Sequence, residues 1–171
     1  MSNETEALPP VRVLGIGSPF DLDQIGWRLL QALQESPRLM PYLTKQLVLE
    51  AVDRPGVNLL RYFQQAQYVL LLDAVLDDDC PVGEGKRYSI EEVRSVQSLQ
   101  STHGFGVQEA LSLAETLGQL PKRLAIFGVS IGGAGENTKI DWDAAISALA
   151  VSLESEICHI CDSELSKSVM Y

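Results

Sequence analysis

The sequence predicts a single-domain α/β fold with three layers: a twisted, mostly parallel sheet of about five strands, with helices on both faces. Three observations predict it. Short apolar runs alternate with segments of helical periodicity along the chain. Residues 68–72 are continuously apolar, which is typical of a strand covered on both faces. The chain has 171 residues, enough for one domain with a core of its own.

The first half of the chain predicts two strand–helix pairs and a third strand. Gly17 ends the first apolar run, and Ile25, Leu29 and Leu33 then recur at helical spacing. Asp73 ends the third run. In order, the elements are a strand at 11–16, a helix from about 23 to 35, a strand at 46–51, a helix at 56–65 and a strand at 68–72.

The second half begins with an acidic loop at 77–85, and residues 86–96 predict one or two strands at the sheet edge. A helix through 107–117, a strand at 123–129 and a glycine-rich loop at 130–137 follow. Asp141 is the expected N-cap of the last helix, whose predicted buried stripe is Trp142, Ile146, Leu149, Leu153 and Ile157. We therefore expect a flexible N-terminal tail at 1–10, the domain at 11–160 and a C-terminal tail at 161–171.

Charge and composition exclude several classes of function. Thirteen basic and 23 acidic residues give a net charge of −10. This charge excludes nucleic-acid binding by broad phosphate neutralisation and disfavours docking on an anionic membrane. The first ten residues have no apolar signal segment, the longest apolar stretches look far too short to span a membrane, and three cysteines make no disulfide framework. We expect a cytoplasmic monomer.

A partial dinucleotide-binding motif follows the first strand at Gly15-Ile16-Gly17. The third glycine of the motif would fall at position 20, which is Phe20. Asp21 and Asp23 also place carboxylates where a pyrophosphate needs N–H donors. We interpret the motif as a tight strand-to-helix turn.

Gly128-Val129-Ser130-Ile131-Gly132 matches the G-x-S-x-G nucleophile elbow. A serine-hydrolase triad would need Asp141 or Asp143 and then His159. The elbow requires a helix directly after the serine, whereas the glycines that follow Ser130 resist helix formation.

Residues 158–161, Cys-His-Ile-Cys, could suggest a soft-metal site. A closed zinc site usually needs four ligands, and the sequence has no second Cys/His pair. Cys158 and Cys161 fit better as small apolar residues on one helix face.

A dispersed set of polar residues is a stronger candidate. Asp23, Asp73 and His103 each follow a predicted strand or precede the next helix, so the topology could gather them at one sheet edge. A carboxylate after an apolar strand must be paired, hydrogen-bonded or metal-bound. Two carboxylates and an imidazole can bind zinc or nickel. The alternatives are a loop-capping role for Asp73 and a packed loop position for His103.

Three segments carry a further pattern. They are Val13-Leu14-Gly15-Ile16-Gly17-Ser18-Pro19 with Asp23-Gln24-Ile25-Gly26; Leu72-Asp73-Ala74-Val75; and Ser101-Thr102-His103-Gly104-Phe105-Gly106 with Glu109-Ala110-Leu111, continuing through Leu117-Gly118-Gln119-Leu120-Pro121. Together with residues 124–129, they resemble the hydrogenase maturation endopeptidases, which trim the C-terminus of the nickel–iron hydrogenase large subunit. The resemblance spans about residues 11–160.

The resemblance departs from the family pattern in the first loop. Ser18 stands where the family usually has Asn, and the loop is one residue short. Counting back from Gly26 places Asp23 on the first metal-binding acid of the family. The alternative alignment, through Asp21, would place Gln24 there.

The resemblance implies a protease that acts on a hydrogenase large-subunit precursor already loaded with nickel. Asp23, Asp73 and His103 would contact that nickel, which the substrate carries, and no other catalytic residue is implied. Whether the nickel polarises the scissile carbonyl or marks readiness for cleavage is left open. The competing hypotheses are a serine hydrolase that uses Ser130 and a non-catalytic, metal-dependent binding protein.

Overall fold

The computed structural model describes residues 10–43, 45–95, 106–132 and 139–168. One five-stranded sheet has the strand order β2-β1-β3-β5-β4. Its strands are β1 Val11–Gly17, β2 Leu47–Asp53, β3 Tyr68–Val75, β4 Gly85–Tyr88 and β5 Arg123–Ser130. All neighbouring strands run parallel except β4, which is antiparallel to β5. The predicted mostly parallel sheet is confirmed.

Helices cover both faces of the sheet. They are α1 Ile25–Gln34, α2 Leu59–Phe63, α3 Ile90–Ser95, α4 Val107–Thr116 and α5 Trp142–Ser168. On one face, Val13 and Leu70 join a core cluster with residues of α1 and α5. On the other face, Leu14 and Leu71 join a second cluster with residues of α2, α3 and α4. Because successive side chains of a strand alternate between faces, the continuous apolar run of β3 supplies both clusters.

The third strand is longer than predicted. Asp73 lies within β3, paired in register with Gly128 of β5, and the strand ends at Val75. The prediction that Asp73 follows the strand was therefore wrong. Pairing with β5 keeps the backbone extended for two residues beyond the carboxylate, although the apolar run has ended.

Residues 86–96 contain one strand and one helix rather than strands alone. In the helical part, Ser89 Oγ accepts a hydrogen bond from the Glu92 backbone N–H at 3.1 Å, and Glu92 accepts one from the Ser89 N–H at 2.7 Å. This reciprocal pair is a capping box, which begins α3.

The last helix begins as predicted. Asp141 accepts a hydrogen bond from the Ala144 backbone N–H at 3.0 Å, as an N-cap residue does. The helix α5 continues past the predicted domain boundary at residue 160 and ends at Ser168. Cys161 and Glu164 are buried, and Glu164 pairs with Arg123 of β5. Most of the predicted N-terminal tail, residues 1–9, lies outside the described residues.

The prediction that every apolar stretch is far too short to span a membrane was also wrong. Within α5, the 23-residue segment Trp142–Glu164 is long and apolar enough to cross one, with a mean hydropathy of 1.4 over an 18-residue window. Core helices pass the same test, and Ile146, Leu153 and Ile157 pack into the core cluster with α1 and the sheet. This helix is therefore weak evidence for a membrane protein.

Three glycines join α1 closely to the sheet. A Cβ on Gly26 would lie 2.2 Å from the carbonyl oxygen of Ile16 and 2.7 Å from that of Leu72. A Cβ on Gly17 would lie 2.3 Å from the carbonyl oxygen of Asp23, and Gly15 directly faces Gly26. The predicted tight turn is confirmed, and it brings the start of α1 against β1 and β3.

We predict that Gly26→Ala destabilises the fold by about 3 kcal/mol or more, since backbone atoms of β1 and β3 occupy the space. Gly118→Ala is the control: its φ is +65° but nothing lies within 4 Å of its Cβ, so only backbone strain of about 1–2 kcal/mol is expected. Denaturant unfolding measures both. If Gly26→Ala lost no more unfolding free energy than Gly118→Ala, the close contact at Gly26 would be contradicted.

A buried carboxylate anchors the connection between β3 and β4. Asp77 accepts hydrogen bonds from the Tyr88 hydroxyl at 2.6 Å and from the Asp79 N–H at 2.9 Å, and it pairs with Lys86 at 3.1 Å. The Tyr88 hydrogen bond is the main cause that holds the pKa of Asp77 below its ordinary value. The cluster fixes the chain between the two strands.

We predict that Asp77→Asn lowers stability by about 1–3 kcal/mol at neutral pH. Because the folded-state pKa of Asp77 lies below the unfolded one, its stabilisation is complete above about pH 4 and is lost as the pH falls through the folded-state pKa. The difference in unfolding free energy between wild type and Asp77→Asn should therefore shrink below about pH 4. Unfolding curves across pH, with the exposed Asp79→Asn as control, test this. A difference that stays constant in acid would disprove it.

Candidate functional site

A small cavity opens at the carboxyl edge of the parallel strands, where ligands bind in sheets of this kind. Its volume is about 40 Å³. It is lined by residues 16–18 at the end of β1, by Asp23, by residues 54–56 and Leu59 after β2, by residues 73–74 of β3, and by residues 106–107 at the start of α4. The cavity therefore collects groups from four separate stretches of sequence.

Asp23 lies on a single 3₁₀ turn, Asp21–Gln24, between β1 and α1. Its carboxylate accepts a hydrogen bond from the Ser18 hydroxyl at 3.0 Å, and its carbonyl accepts one from the Ser18 N–H at 3.3 Å. Ser18 is itself buried. Ser18 thus fixes the Asp23 carboxylate at the cavity wall. In the sequence, Ser18 stood out only as a departure from the family pattern.

Asp73 lines the same cavity from β3 and accepts a hydrogen bond from the Ala74 N–H at 2.8 Å. Burial raises the pKa of the Asp73 carboxyl to about 8; the hydrogen bond from Ala74 opposes this rise, and repulsion from Asp23 adds to it. A divalent cation beside Asp73 would offset the cost that burial and the neighbouring Asp23 impose on its charged form, so the donor set fits a divalent metal ion.

His103 lies outside the described residues, so its place in the site stays a prediction. Gly106 and Val107, three and four residues later, line the cavity. The Gly106 N–H donates to the Glu109 carboxylate at 2.8 Å, which fixes the start of α4 beside the cavity.

The first loop had two candidate acids. Asp21 is exposed and is not among the residues that line the cavity, whereas Asp23 is. Gln24, which the alternative alignment places on the ligand position, donates its side-chain amide to the Pro19 carbonyl at 3.2 Å. The geometry therefore favours Asp23 as the acid that faces Asp73.

The serine-hydrolase triad does not form. Ser130 is fully buried, and its hydroxyl donates to the Cys80 carbonyl at 2.8 Å. Asp143 and His159 lie 16 residues apart on α5, about 24 Å along the helix axis. Asp141, the N-cap of the same helix, is farther still from His159. Neither Asp141 nor Asp143 can therefore pair with His159 to activate Ser130.

The cysteine motif is structural, as interpreted from the sequence. Cys161 is buried in the core cluster of α1 and α5, and burial raises the pKa of its thiol to about 12. Cys158 is partly buried against the same cluster. In the part of the chain that the structure describes, no group of three or more His, Cys, Asp or Glu side chains could hold a metal ion. Asp23 and Asp73 thus need a further ligand from elsewhere.

The sequence analysis missed Arg54, the one basic residue among the described residues that line the cavity. Its guanidinium pairs with Asp53 and lies 5.9 Å from the ring centroid of Phe20. The position of Arg54 in the sequence could have indicated its role, because Arg54 directly follows the carboxyl end of the parallel strand β2.

Comparison with known proteins agrees with this fold and cavity. The sequence model described as hydrogenase maturation protease matches residues 54–159. The chain is 33% identical over 124 residues to the hydrogenase expression/formation protein HupD of Thiocapsa roseopersicina, covering 71% of this chain and 54% of HupD. It is 30% identical over 121 residues to HoxM of Cupriavidus necator, covering 69% of this chain and 57% of HoxM.

Solved structures show the same fold. The hydrogenase maturating endopeptidase HybD from E. coli superposes with a TM-score of 0.57 at 21% identity, covering 86% of this chain and 89% of that one. The [NiFe] hydrogenase maturation protease HycI from Thermococcus kodakarensis gives a TM-score of 0.57 at 16% identity, covering 91% and 94%.

The three-layer α/β fold of this chain is thus one that solved hydrogenase maturation proteases share. The chain belongs to the hydrogenase maturation protease family. The resemblance found in the sequence is confirmed. The chain spans about half the length of the curated relatives that it matches.

We predict that Asp73→Asn leaves the metal-free protein as stable as wild type or more stable. The change removes a charge that burial and Asp23 both disfavour, and it keeps an acceptor for the Ala74 N–H. Activity should be lost, because the amide is a poorer ligand than a carboxylate for a divalent ion.

Thermal melts without metal, alongside a processing assay, test this prediction, with the exposed Asp143→Asn as control. If the melting temperature of Asp73→Asn fell by about ten degrees and activity fell only with the folded fraction, Asp73 would be structural.

Proposed function

We propose that this protein is an endopeptidase that removes the C-terminal extension of a hydrogenase large-subunit precursor, and that it recognises the nickel already bound in that precursor. The observation that carries the proposal is the pair of carboxylates, Asp23 and Asp73, in one cavity at the carboxyl edge of the sheet. Membership of the hydrogenase maturation protease family supports the reaction class.

The cavity supplies ligands rather than a nucleophile. Among the described lining residues, Ser18 alone has a nucleophilic side-chain type, and its hydroxyl donates to Asp23. Among these described residues, Ser18 has no neighbouring base other than the carboxylate that it orients. In the proposed reaction, Asp23 and Asp73 contact the nickel of the substrate, with His103 as a third ligand. Three protein ligands leave coordination positions for the groups that the precursor contributes.

Two roles of the substrate nickel are compatible with this ligand set. As a Lewis acid it would polarise the scissile carbonyl, so that water could attack without a serine or cysteine nucleophile. As a recognition mark it would only align the precursor. In either role the enzyme needs no resident metal. The partner is the precursor; we further propose a cytoplasmic monomer that binds neither nucleic acid nor membrane.

The test compares nickel-loaded and nickel-free precursor, with the mass of the large subunit measured after incubation. We predict cleavage of the loaded form only, because the carboxylates of Asp23 and Asp73 would bind the nickel, which the unloaded form lacks. Asp23→Asn and Asp73→Asn should each abolish cleavage. Ser130→Ala is the control: it should cleave as wild type does and, like wild type, resist fluorophosphonate labelling.

Each other outcome has a definite meaning. Equal cleavage of both precursor forms would exclude nickel recognition. Nickel-dependent binding without any cleavage would identify a metal-dependent binding protein instead of a protease. Loss of cleavage in Ser130→Ala, with labelling of Ser130 in wild type, would restore the serine-hydrolase hypothesis.

A further inference from the structure

Three exposed apolar side chains follow strand ends at the edge of the sheet that contains the cavity. Phe20 is 56% exposed, Val57 51% and Leu76 40%. Each lies in the loop that follows one of three adjacent parallel strands, after β1, β2 and β3 respectively. Three neighbouring strand ends thus each present one large apolar side chain to solvent on the edge that contains the cavity. We call these three residues, together with Arg54, the rim.

The rim loops also contain backbone strain. In the described residues, the non-glycine residues with positive φ are Asp21, at +42°, and Arg54, at +39°. Both lie in the loops that carry Phe20 and Val57. The strained backbone of Arg54 is held by a hydrogen bond from its N–H to the Gly17 carbonyl at 3.0 Å. Strain of this kind is typical of sites where a side chain must point in one direction.

The guanidinium of Arg54 has unused donors. Its Nε and one Nη donate to the two carboxylate oxygens of Asp53 at 2.6 and 3.2 Å, and its flat face lies over Phe20. A guanidinium has five N–H donors and no acceptor, so three remain. These donors cannot bind the cation that the carboxylates attract. They can bind only acceptor oxygens of whatever brings that cation.

The size of the cavity determines where those oxygens lie. A volume of about 40 Å³ admits an ion or a few water molecules but not a polypeptide segment. If the metal arrives bound to a protein, the chain beside the metal must therefore lie on the rim.

We propose that Arg54 is a specificity-determining residue. It donates hydrogen bonds to backbone carbonyl oxygens of the polypeptide that carries the metal, while Phe20, Val57 and Leu76 contact apolar side chains of that same segment. The inference rests on the proposed function, and its partner is the metal-bearing precursor. The two surfaces would be complementary in charge and polarity. The carboxylates face the metal cation, and the guanidinium of Arg54 with its apolar neighbours faces the peptide.

The experiment measures kcat and KM for nickel-loaded precursor with wild type, Arg54→Gly, Arg54→Lys and Phe20→Ala. Arg54→Gly should raise KM about tenfold with little change in kcat, as loss of charged hydrogen bonds to substrate does. Its melting temperature should be unchanged or higher, because glycine adopts positive φ without strain. Arg54→Lys retains the charge and the strain but lacks the guanidinium geometry, so its KM should be intermediate.

Two controls lie away from the rim. Arg38→Ala removes an exposed arginine that also pairs with an acid, Glu154, and Met40→Ala removes an apolar side chain that is 64% exposed. Both residues lie between α1 and β2, at the opposite edge of the sheet. Neither variant should change KM, whereas Phe20→Ala should raise it.

The outcomes separate this inference from the proposed function. If wild type does not process the loaded precursor, the proposed function fails. If wild type processes it and Arg54→Gly keeps the wild-type KM, only the present inference fails. A decrease in kcat alone for Arg54→Gly would also overturn this inference. So would a loss of activity that accompanies a lowered melting temperature. A wild-type KM for Arg54→Lys would exclude specific guanidinium donation.

Discussion

Two carboxylates held beside each other in a small cavity are the constraint on which the rest of this site depends. Burial, and to a smaller extent repulsion from Asp23, disfavours the charged form of Asp73 and raises its pKa to about 8. A flexible loop would relax by separating the two acids. Here Asp73 belongs to a central strand, and Ser18 holds Asp23 through both its side chain and its backbone. The arrangement therefore favours a positive charge bound between the two acids.

The rigidity comes from backbone contacts more than from polar ones. Gly26 lets the first turn of α1 lie directly against carbonyl groups of β1 and β3. Any side chain there would push the helix outward and carry the turn that contains Asp23 with it. On the other side of Asp73, Asp77 anchors the end of β3 through Tyr88 and Lys86. The cavity thus lies between a glycine contact and a buried carboxylate cluster, and both restrain the same strand.

Most of the sheet was predictable from the sequence because the inner strands β1, β3 and β5 are mostly buried on both faces, which leaves continuous apolar runs. Element ends were less predictable. Asp73 lies inside β3, since pairing with β5 continues where apolarity stops. The helix at Ile90–Ser95 depends on a reciprocal cap between Ser89 and Glu92, a signal present in the sequence. The last helix passes the predicted boundary because Glu164 pairs with Arg123, which is distant in sequence. Asp23 and Asp73 were found from strand ends, but Arg54 was not, because its strained backbone is set by a tertiary hydrogen bond to Gly17.

The cavity and the rim at this edge of the sheet are suited to recognise different chemical groups. A cavity of about 40 Å³ can test only for an ion, and two acids make that test one of charge. Such a test cannot distinguish one metal-bearing protein from another. Selectivity for the polypeptide must therefore come from groups at the rim, and those groups must lie close enough to act together with the cavity. Arg54 satisfies both requirements, since it lines the cavity and also packs over the exposed ring of Phe20. A partner with the right segment but no metal leaves the two carboxyl groups without a cation, and a free metal ion leaves the rim unused. Only a partner that carries both would satisfy all these groups at once.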